Sequence, residues 1–264
     1  MMKKGFIAFL LLLFIITLNV MDCSSKDNGM KIYAVKYGKS MFQKRFIFHG
    51  DKSGQAAPIS WMFYYIEYGD KKILVDTGFN DPGLVKMFGI TDFKDPVAIL
   101  RENSIPADSI TDVIITHSHF DHTGNAHRFK NARFIINRDE LSILNRSGTM
   151  KEVKKFFATN KNLTVFDESF TLYGNFNIVK IGGHSKGSSA VFFKYGNMNY
   201  CFTGDEIYSP ANITQNTGNG SVVDHRKNMN FINKIRSGNY TLFIFHDSKY
   251  ADSSNRFIRV FPVN

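Results

Sequence analysis

One twelve-residue stretch constrains this chain more than any other: Val113-Ile114-Ile115-Thr116-His117-Ser118-His119-Phe120-Asp121-His122-Thr123-Gly124. Its β-branched residues form a short apolar run that reads as a buried strand, and the polar cluster begins where that run ends. The cluster therefore stands at a strand's C-terminal mouth. A turn there can bring His117 and His119 to one side while Asp121 and His122 come round to meet them. Imidazole and carboxylate together suit zinc, manganese or iron, whereas calcium and magnesium call for oxygen ligands throughout. A polar loop with a few surface histidines is the competing reading, and so dense a run of ligand types argues against it.

The same arrangement recurs along the chain. Asp76, His184, Asp205 and His246 each follow an apolar, strand-like run directly or within a few residues. Taken singly, His184 or His246 would be an ordinary structural histidine, and Asp76 a simple turn residue. Side chains gathered at the same ends of several strands instead form one site on a rigid frame. Asp76 also has a supporting role open to it, because a metal-bound histidine usually donates its other N–H to a carboxylate or carbonyl. His49, His127 and His225 lack such a context and read as surface or loop residues.

The pattern predicts strands at Lys31 to Val35, at Ala132 to Ile136 and at Phe257 to Phe261. Trp61 to Tyr68 and Lys72 to Val75 should form a hairpin through a Gly69-Asp70 turn, and Val191 to Tyr195 should pair with Tyr200 to Thr203 around Gly196-Asn197. Leu163 to Lys180 should hold two or three short strands, and Leu242 to Phe245 one more. Helices are expected at Pro96 to Asn103, capped by Asp95 with Pro96 at the first position, and at Arg138 to Leu144, Lys151 to Phe157 and His225 to Ile235. Gly38 to Pro58 has no clear period and reads as a loop bordering the site.

Composition adds two constraints. Across 264 residues, 43% hydrophobic and 21% charged content is ordinary for a globular chain, and one domain with a sizeable core follows. The formal net charge of +10 comes from scattered Lys and Arg residues without a nucleic-acid-binding motif, so it indicates solubility and attraction to anionic surfaces rather than a nucleic-acid partner. Residues 1–25 stand apart from the rest. Lys3 and Lys4 precede an apolar run from Gly5 to Leu18, too short for a comfortable membrane span and suited to an export signal. Cys23, followed by Ser24 and Ser25, resembles the lipidated residue of a bacterial lipoprotein, which would attach the exported protein to a membrane; Met21 and Asp22 stand where such signals carry small residues, so ordinary cleavage to a periplasmic or extracellular protein and an uncleaved N-terminal anchor are the alternatives. Cys201, the other cysteine, lies in an apolar run as a buried thiol, so no disulfide framework is expected.

The order Leu74-Val75-Asp76-Thr77-Gly78, Thr116-His117-Ser118-His119-Phe120-Asp121-His122, Gly183-His184-Ser185, Gly204-Asp205 and His246 resembles the metallo-β-lactamase superfamily over nearly all of residues 26–264. The resemblance implies an αββα sandwich, two mixed sheets face to face with helices outside and a two-metal site at one edge. It implies that His117, His119 and His184 hold one divalent ion, that Asp121, His122 and His246 hold the other, and that Asp205 bridges them. Zinc is the first expectation for both, with manganese and iron as alternatives. His122 favours the glyoxalase II, lactonase and phosphodiesterase branches over the true β-lactamases. Within them the chain is most similar to the N-acyl homoserine lactonases, through Phe120, Tyr208 and the ending Phe245-His246-Asp247 followed by Arg259-Val260-Phe261-Pro262. It departs from them at Lys186 and Ser188, where Pro and His are frequent, and at Phe245, where Gly is.

The activity that this resemblance implies is hydrolysis of a small-molecule lactone ester by hydroxide generated at the two metals. Tyr208 would stabilise the oxyanion, and Asp121 would pass a proton to the leaving alkoxide. The alternatives are a thioesterase or phosphodiesterase on the same metals, and a non-catalytic metal-binding surface lipoprotein, which the complete ligand set argues against.

Overall fold

The computed structural model describes residues 29–262; the expected export signal and Cys23 lie outside the described residues. Seven strands form one mixed sheet: β1 (Lys31–Gln43), β2 (Ala56–Tyr68), β3 (Lys71–Val75), β4 (Asp112–Ile115), β5 (Arg133–Asn137), β6 (Leu163–Phe166) and β12 (Phe257–Phe261). Their order is β12-β1-β2-β3-β4-β5-β6. Pairing is antiparallel from β12 to β3 and parallel from β3 to β6. The second sheet holds β7 (Ser169–Leu172), β8 (Phe176–Lys180), β9 (Ser189–Tyr195), β10 (Met198–Phe202) and β11 (Tyr240–Phe243), in the order β11-β10-β9-β8-β7. Only its β10–β11 pair is parallel.

Aromatic rings fill the space between the sheets. Tyr64 of β2 packs edge-on against Phe202, Phe243 and Phe245 at 5.1, 5.6 and 5.0 Å, and its hydroxyl donates to the Ile244 carbonyl at 2.8 Å. Eight helices of more than three residues are described: α1 (Lys44–Ile47), α2 (Pro82–Met87), α3 (Pro96–Glu102), α4 (Phe120–Thr123), α5 (Arg138–Arg146), α6 (Lys151–Thr159), α7 (Pro210–Thr214) and α8 (His225–Ser237). Helix α6 lays Phe156 and Phe157 on Phe134 of β5. On the far side, α8 buries Phe231, Ile232 and Ile235 against Ala190 and Cys201 of the second sheet, each such side chain contributing about 1.5–3 kcal/mol. This is the αββα sandwich. Strands β4 and β5 are covered on both faces, which is why their centres read as unbroken apolar runs, Val113-Ile114-Ile115 and Phe134-Ile135-Ile136. No described helix is long and apolar enough to cross a membrane.

The largest departure from expectation is Gly38 to Pro58. It is not a loop: β1 continues to Gln43, α1 follows, and β2 begins at Ala56. Two features hid the strand. The register shifts between Lys36 and Gly38, a bulge that breaks the period-two pattern, and Lys36 is buried with its ammonium donating to the carbonyls of Ala251 and Ser253. Gly38 is required because a Cβ there would come within 2.5 Å of Ile90 Cγ2. Helices α2, α4 and α7 are also additional, each six residues or fewer, too short to show a period. Strand β11 starts at Tyr240 and stops at Phe243, two residues before the expected end at Phe245. The remaining expected elements are present with boundaries moved by a few residues, and Leu163 to Lys180 holds three strands.

Candidate metal centre

Strands β3 and β4 run parallel, so Asp76 and His117 emerge at the same edge of the first sheet. Loops after β8, β10 and β11 bring His184, Asp205 and His246 to that edge. The ligand atoms fall into two groups, His117, His119, His184 and Asp205, and Asp121, His122, Asp205 and His246. In the first, His119 Nδ1 lies 3.0 Å from His117 Nε2 and 3.0 Å from His184 Nε2. Asp205 Oδ2 is 3.8 and 3.7 Å from the same two Nε2 atoms. In the second, His122 Nε2 is 3.3 Å from Asp121 Oδ2 and 3.2 Å from Asp205 Oδ1. His246 Nε2 is 3.5 and 3.4 Å from those oxygens. Each oxygen of Asp205 thus belongs to a different group.

These spacings fit metal coordination. A tetrahedral ion with bonds of about 2.0–2.1 Å separates its ligand atoms by about 3.3 Å, inside the observed spread. Among the described residues five buried side-chain N or O atoms lack a hydrogen-bond partner, and three of them, His122 Nε2, Asp205 Oδ1 and His246 Nε2, converge here. Orphaned buried polar atoms are costly, and a cation between them would satisfy all three. His119 is the exposed member of the set, so the first group has an open side.

The opposite ring nitrogens are fixed from behind. His122 Nδ1 is 2.7 Å from Asp76 Oδ2, His246 Nδ1 2.9 Å from the Ser60 carbonyl, and His184 Nδ1 2.5 Å from the Ser221 carbonyl. A ring that donates at Nδ1 presents the Nε2 lone pair to the site. Asp76 also accepts from Thr116 N at 2.8 Å and Thr116 Oγ1 at 2.7 Å, so it supports the central loop as well as His122.

Charge divides the two groups. Burial, then the neighbouring imidazoles His122 and His119, holds His117 well below the usual histidine pKa, and burial lowers His184 to about 4 against the pull of Asp205. Burial would lower His122 and His246 too, but Asp205 and Asp121 outweigh it, raising His122 well above the usual value and His246 to about 10. Burial alone would raise Asp121 and Asp205; His122 and His246 instead bring both below the ordinary carboxylate range. His117 and His184 of the first group are therefore held neutral, while without an ion His122 and His246 of the second hold protons against the anionic oxygens of Asp205 and Asp121, protons that a bound ion would displace.

Tyr208 lies against the second group. Its ring stacks on His246 at 4.7 Å and 14°, with Phe42 parallel to it at 6.1 Å on β1. Burial, followed by the charges of Asp205 and Asp121, raises its hydroxyl pKa well above the usual phenol value, so it stays a proton donor. The segment expected as a bordering loop does reach the site, since Ile47, Phe48, Ala57 and Pro58 line a small recess with Tyr208 and His246. A larger cleft of about 980 Å³ is lined by Phe79, Leu84, Phe88, Phe120 and Met150 among others; Phe120 stands between His119 and Asp121 in the chain, and no member of either ligand group lines the cleft. His49 and His225 are exposed and stack on each other at 3.7 Å, away from both ligand groups. Half-buried His127 stands 3.5 Å from Glu152.

Residues that sequence reasoning missed complete the frame. Glu140 and Glu206, both buried, accept hydrogen bonds from the loops carrying the histidines. Asn219 donates to the Asp205 carbonyl and orients Ser221 through its own Oδ1. Gly183, beside His184, is set by this packing, because a Cβ would overlap Glu206 Oε2 and lie 2.9 Å from Asn228 Cα. Glu140, Glu206 and Asn219 have no local signal, although Glu206 stands next to a recognised ligand.

Comparison with known proteins places these observations. The family model described as the metallo-beta-lactamase superfamily matches residues 62–239. An N-acyl homoserine lactonase, AiiA, of Bacillus thuringiensis subsp. kurstaki is 25% identical over 178 residues, covering 62% of this chain and 70% of the relative. A probable metallo-hydrolase of Methanocaldococcus jannaschii is 28% identical over 181 residues, 65% of this chain and 79% of the relative. Among solved structures, a quorum-quenching N-acyl homoserine lactone lactonase superposes with a TM-score of 0.72 at 22% identity, over 86% of this chain and 98% of that one. A dizinc quorum-quenching lactonase, solved in complex with a product, superposes at 0.67 with 16% identity, over 88% and 94%.

Proposed function

The chain belongs to the metallo-β-lactamase superfamily, a family of hydrolases, and from that membership we propose that it is a two-metal enzyme opening the ester of a lactone, with N-acyl homoserine lactones the first class to test. The observation that carries the reading is Asp205, whose two oxygens serve two separate ligand groups, with the Tyr208 ring stacked on His246 beside it and an apolar cleft nearby that includes Phe120. His117, His119 and His184 would hold the first ion and Asp121, His122 and His246 the second, with Asp205 between them. Nitrogen and carboxylate donors in fours favour zinc.

Divalent ions bound there would polarise an ester carbonyl and lower the pKa of a water to about 7. The chain's own residues do the rest. Tyr208 presents a protonated hydroxyl to the carbonyl oxygen as charge develops on it. The Asp121 carboxylate, through the oxygen that does not face His122 and His246, takes the proton released in the attack and returns it to the departing alkoxide. Phe120 and its aromatic neighbours offer an apolar wall to an acyl chain. A panel of lactones, thioesters and phosphodiesters, run with metal-loaded and chelated protein, tests the reading. Metal-dependent turnover confined to thioesters or phosphodiesters would overturn the lactonase assignment while leaving the metal centre intact.

Tyr208→Phe isolates the hydroxyl, since the ring still stacks between His246 and Phe42. Removing one oxyanion donor costs about 2.7–4 kcal/mol where no metal shares the work, so a smaller loss of roughly tenfold to a hundredfold is expected here, in kcat more than in KM. Metal content should stay at the parental value. Unchanged lactone turnover would make Tyr208 a packing residue.

A further inference from the structure

Among the buried carboxylates that the proposed chemistry leaves unused, Glu140 is bonded to both of the loops that carry the first group's histidines. It is completely buried on α5, and its four hydrogen bonds run to the two loops that carry the first group's histidines. Oε2 accepts from Ser118 N at 2.8 Å and Ser118 Oγ at 2.7 Å. Oε1 accepts from Ser185 Oγ at 2.6 Å and the Gly187 N–H at 2.7 Å. Ser118 stands between His117 and His119, and Ser185 follows His184. One carboxylate therefore spans the gap between the loop bearing two of the first group's imidazoles and the loop bearing the third. None of these four bonds reaches Asp121, His122 or His246.

From this geometry we infer that Glu140 is a positioning residue for the first metal ion alone, fixing the distance of His184 from His117 and His119; the inference rests on the two-metal reading. The donor set gives the physical reason. Each oxygen meets one hydroxyl and one backbone N–H. A hydroxyl can turn and accept, but a backbone N–H cannot. The amide of a Gln, however it is flipped, must therefore set its NH2 against the N–H of either Ser118 or Gly187, and that loop must shift. Glu206 holds the His184 loop itself together, accepting from Gly183 N and His184 N, both at 3.0 Å, and from Ser188 Oγ at 2.6 Å. What Glu140 controls is thus the placement of one loop against the other rather than the order of either.

The test measures zinc affinity by competition with a chromophoric chelator, in full-length protein and without reference to turnover. Parental protein must first take up two ions per chain; if it does not, the two-metal reading fails and this inference with it. Glu140→Gln is then compared in two backgrounds. His246→Ala leaves the first group complete, and there the variant should weaken the remaining ion by about tenfold or more, the size usual for supporting residues of metal ligands. His184→Ala leaves the second group complete, and there the change should stay within about twofold, as for uncoupled positions. A merely structural role would weaken both alike. Equal losses, or no loss in the His246→Ala background, would overturn the assignment while the two-metal reading stands. Should Glu140→Gln not fold, Ser118→Ala combined with Ser185→Ala keeps both backbone donors and carries the same comparison: the same asymmetry at smaller size supports the inference, and symmetry overturns it.

Discussion

Asp205→Asn is expected to release metal and abolish turnover together. The two oxygens of Asp205 stand in different surroundings: Oδ1 lies 3.2 and 3.4 Å from the Nε2 atoms of His122 and His246, and Oδ2 lies 3.8 and 3.7 Å from those of His117 and His184. An amide can offer a lone pair to one side only. Its NH2 would then point at a cation on the other side, and the charge that holds two cations near each other is gone. The side chain is buried and its backbone is tied to Asn219, so it cannot swing out to avoid the conflict. Bound metal supplies several kcal/mol of transition-state stabilisation, and a fall in kcat/KM of about 10³-fold or more should accompany the loss. Elemental analysis after loading with excess zinc, beside a rate measurement, checks both halves. Two ions retained with near-parental turnover would remove Asp205 from the bridging role.

The legibility of this site in the sequence stems from where its parts lie. Every proposed ligand comes just past a strand of β-branched or aromatic residues, or in the turn beyond it, so apolar run followed by polar tip is visible without a structure. Strand β4 and the four ligands after it are the clearest case, because β4 is covered on both faces and has no polar residue to interrupt the run until Thr116. Asp76 was legible for the same reason at the end of β3. The extension of β1 was not. Gly38 and the buried Lys36 look like loop residues, and they are explained only by Ile90 pressing on the one and by distant carbonyls around the other. Glu140 and Glu206 were illegible for a different reason. Their partners are backbone N–H groups and serines of remote loops, contacts that leave no spacing in the chain. An acidic residue in the first turn of α5 reads simply as a favourable partner for the helix dipole. Ligands that end strands announce themselves, whereas the carboxylates that hold ligand loops together do not.

Asp76 joins these two kinds of residue, and its removal should be the most damaging change outside the ligands. The carboxylate accepts from Thr116 N, from Thr116 Oγ1 and from His122 Nδ1, all of them buried. In Asp76→Ala the Thr116 N–H loses its partner, at about 1–3 kcal/mol for a buried group left unpaired, and His122 Nδ1 keeps only the long 3.4 Å contact to the Thr116 hydroxyl in place of the 2.7 Å bond to Asp76. Backbone adds to this, because Asp76 sits at φ +67°, a conformation that costs an alanine about 1–2 kcal/mol and that Asp or Asn adopts more readily. Held at Nδ1 by that longer contact alone, His122 directs its Nε2 less tightly. The second ion should weaken by about a hundredfold, the upper end for a residue that orients a ligand, and the metal-free protein should melt several degrees lower. Asp76→Asn separates the causes. It keeps the size and tolerates the backbone, and its carbonyl oxygen can still accept from either His122 or Thr116 N, so both losses should be smaller than in the alanine variant. Thermal melts of metal-free protein and zinc titration of all three chains give the comparison. An alanine variant that binds both ions with parental affinity would leave Asp76 a turn residue and require another group to hold the His122 ring.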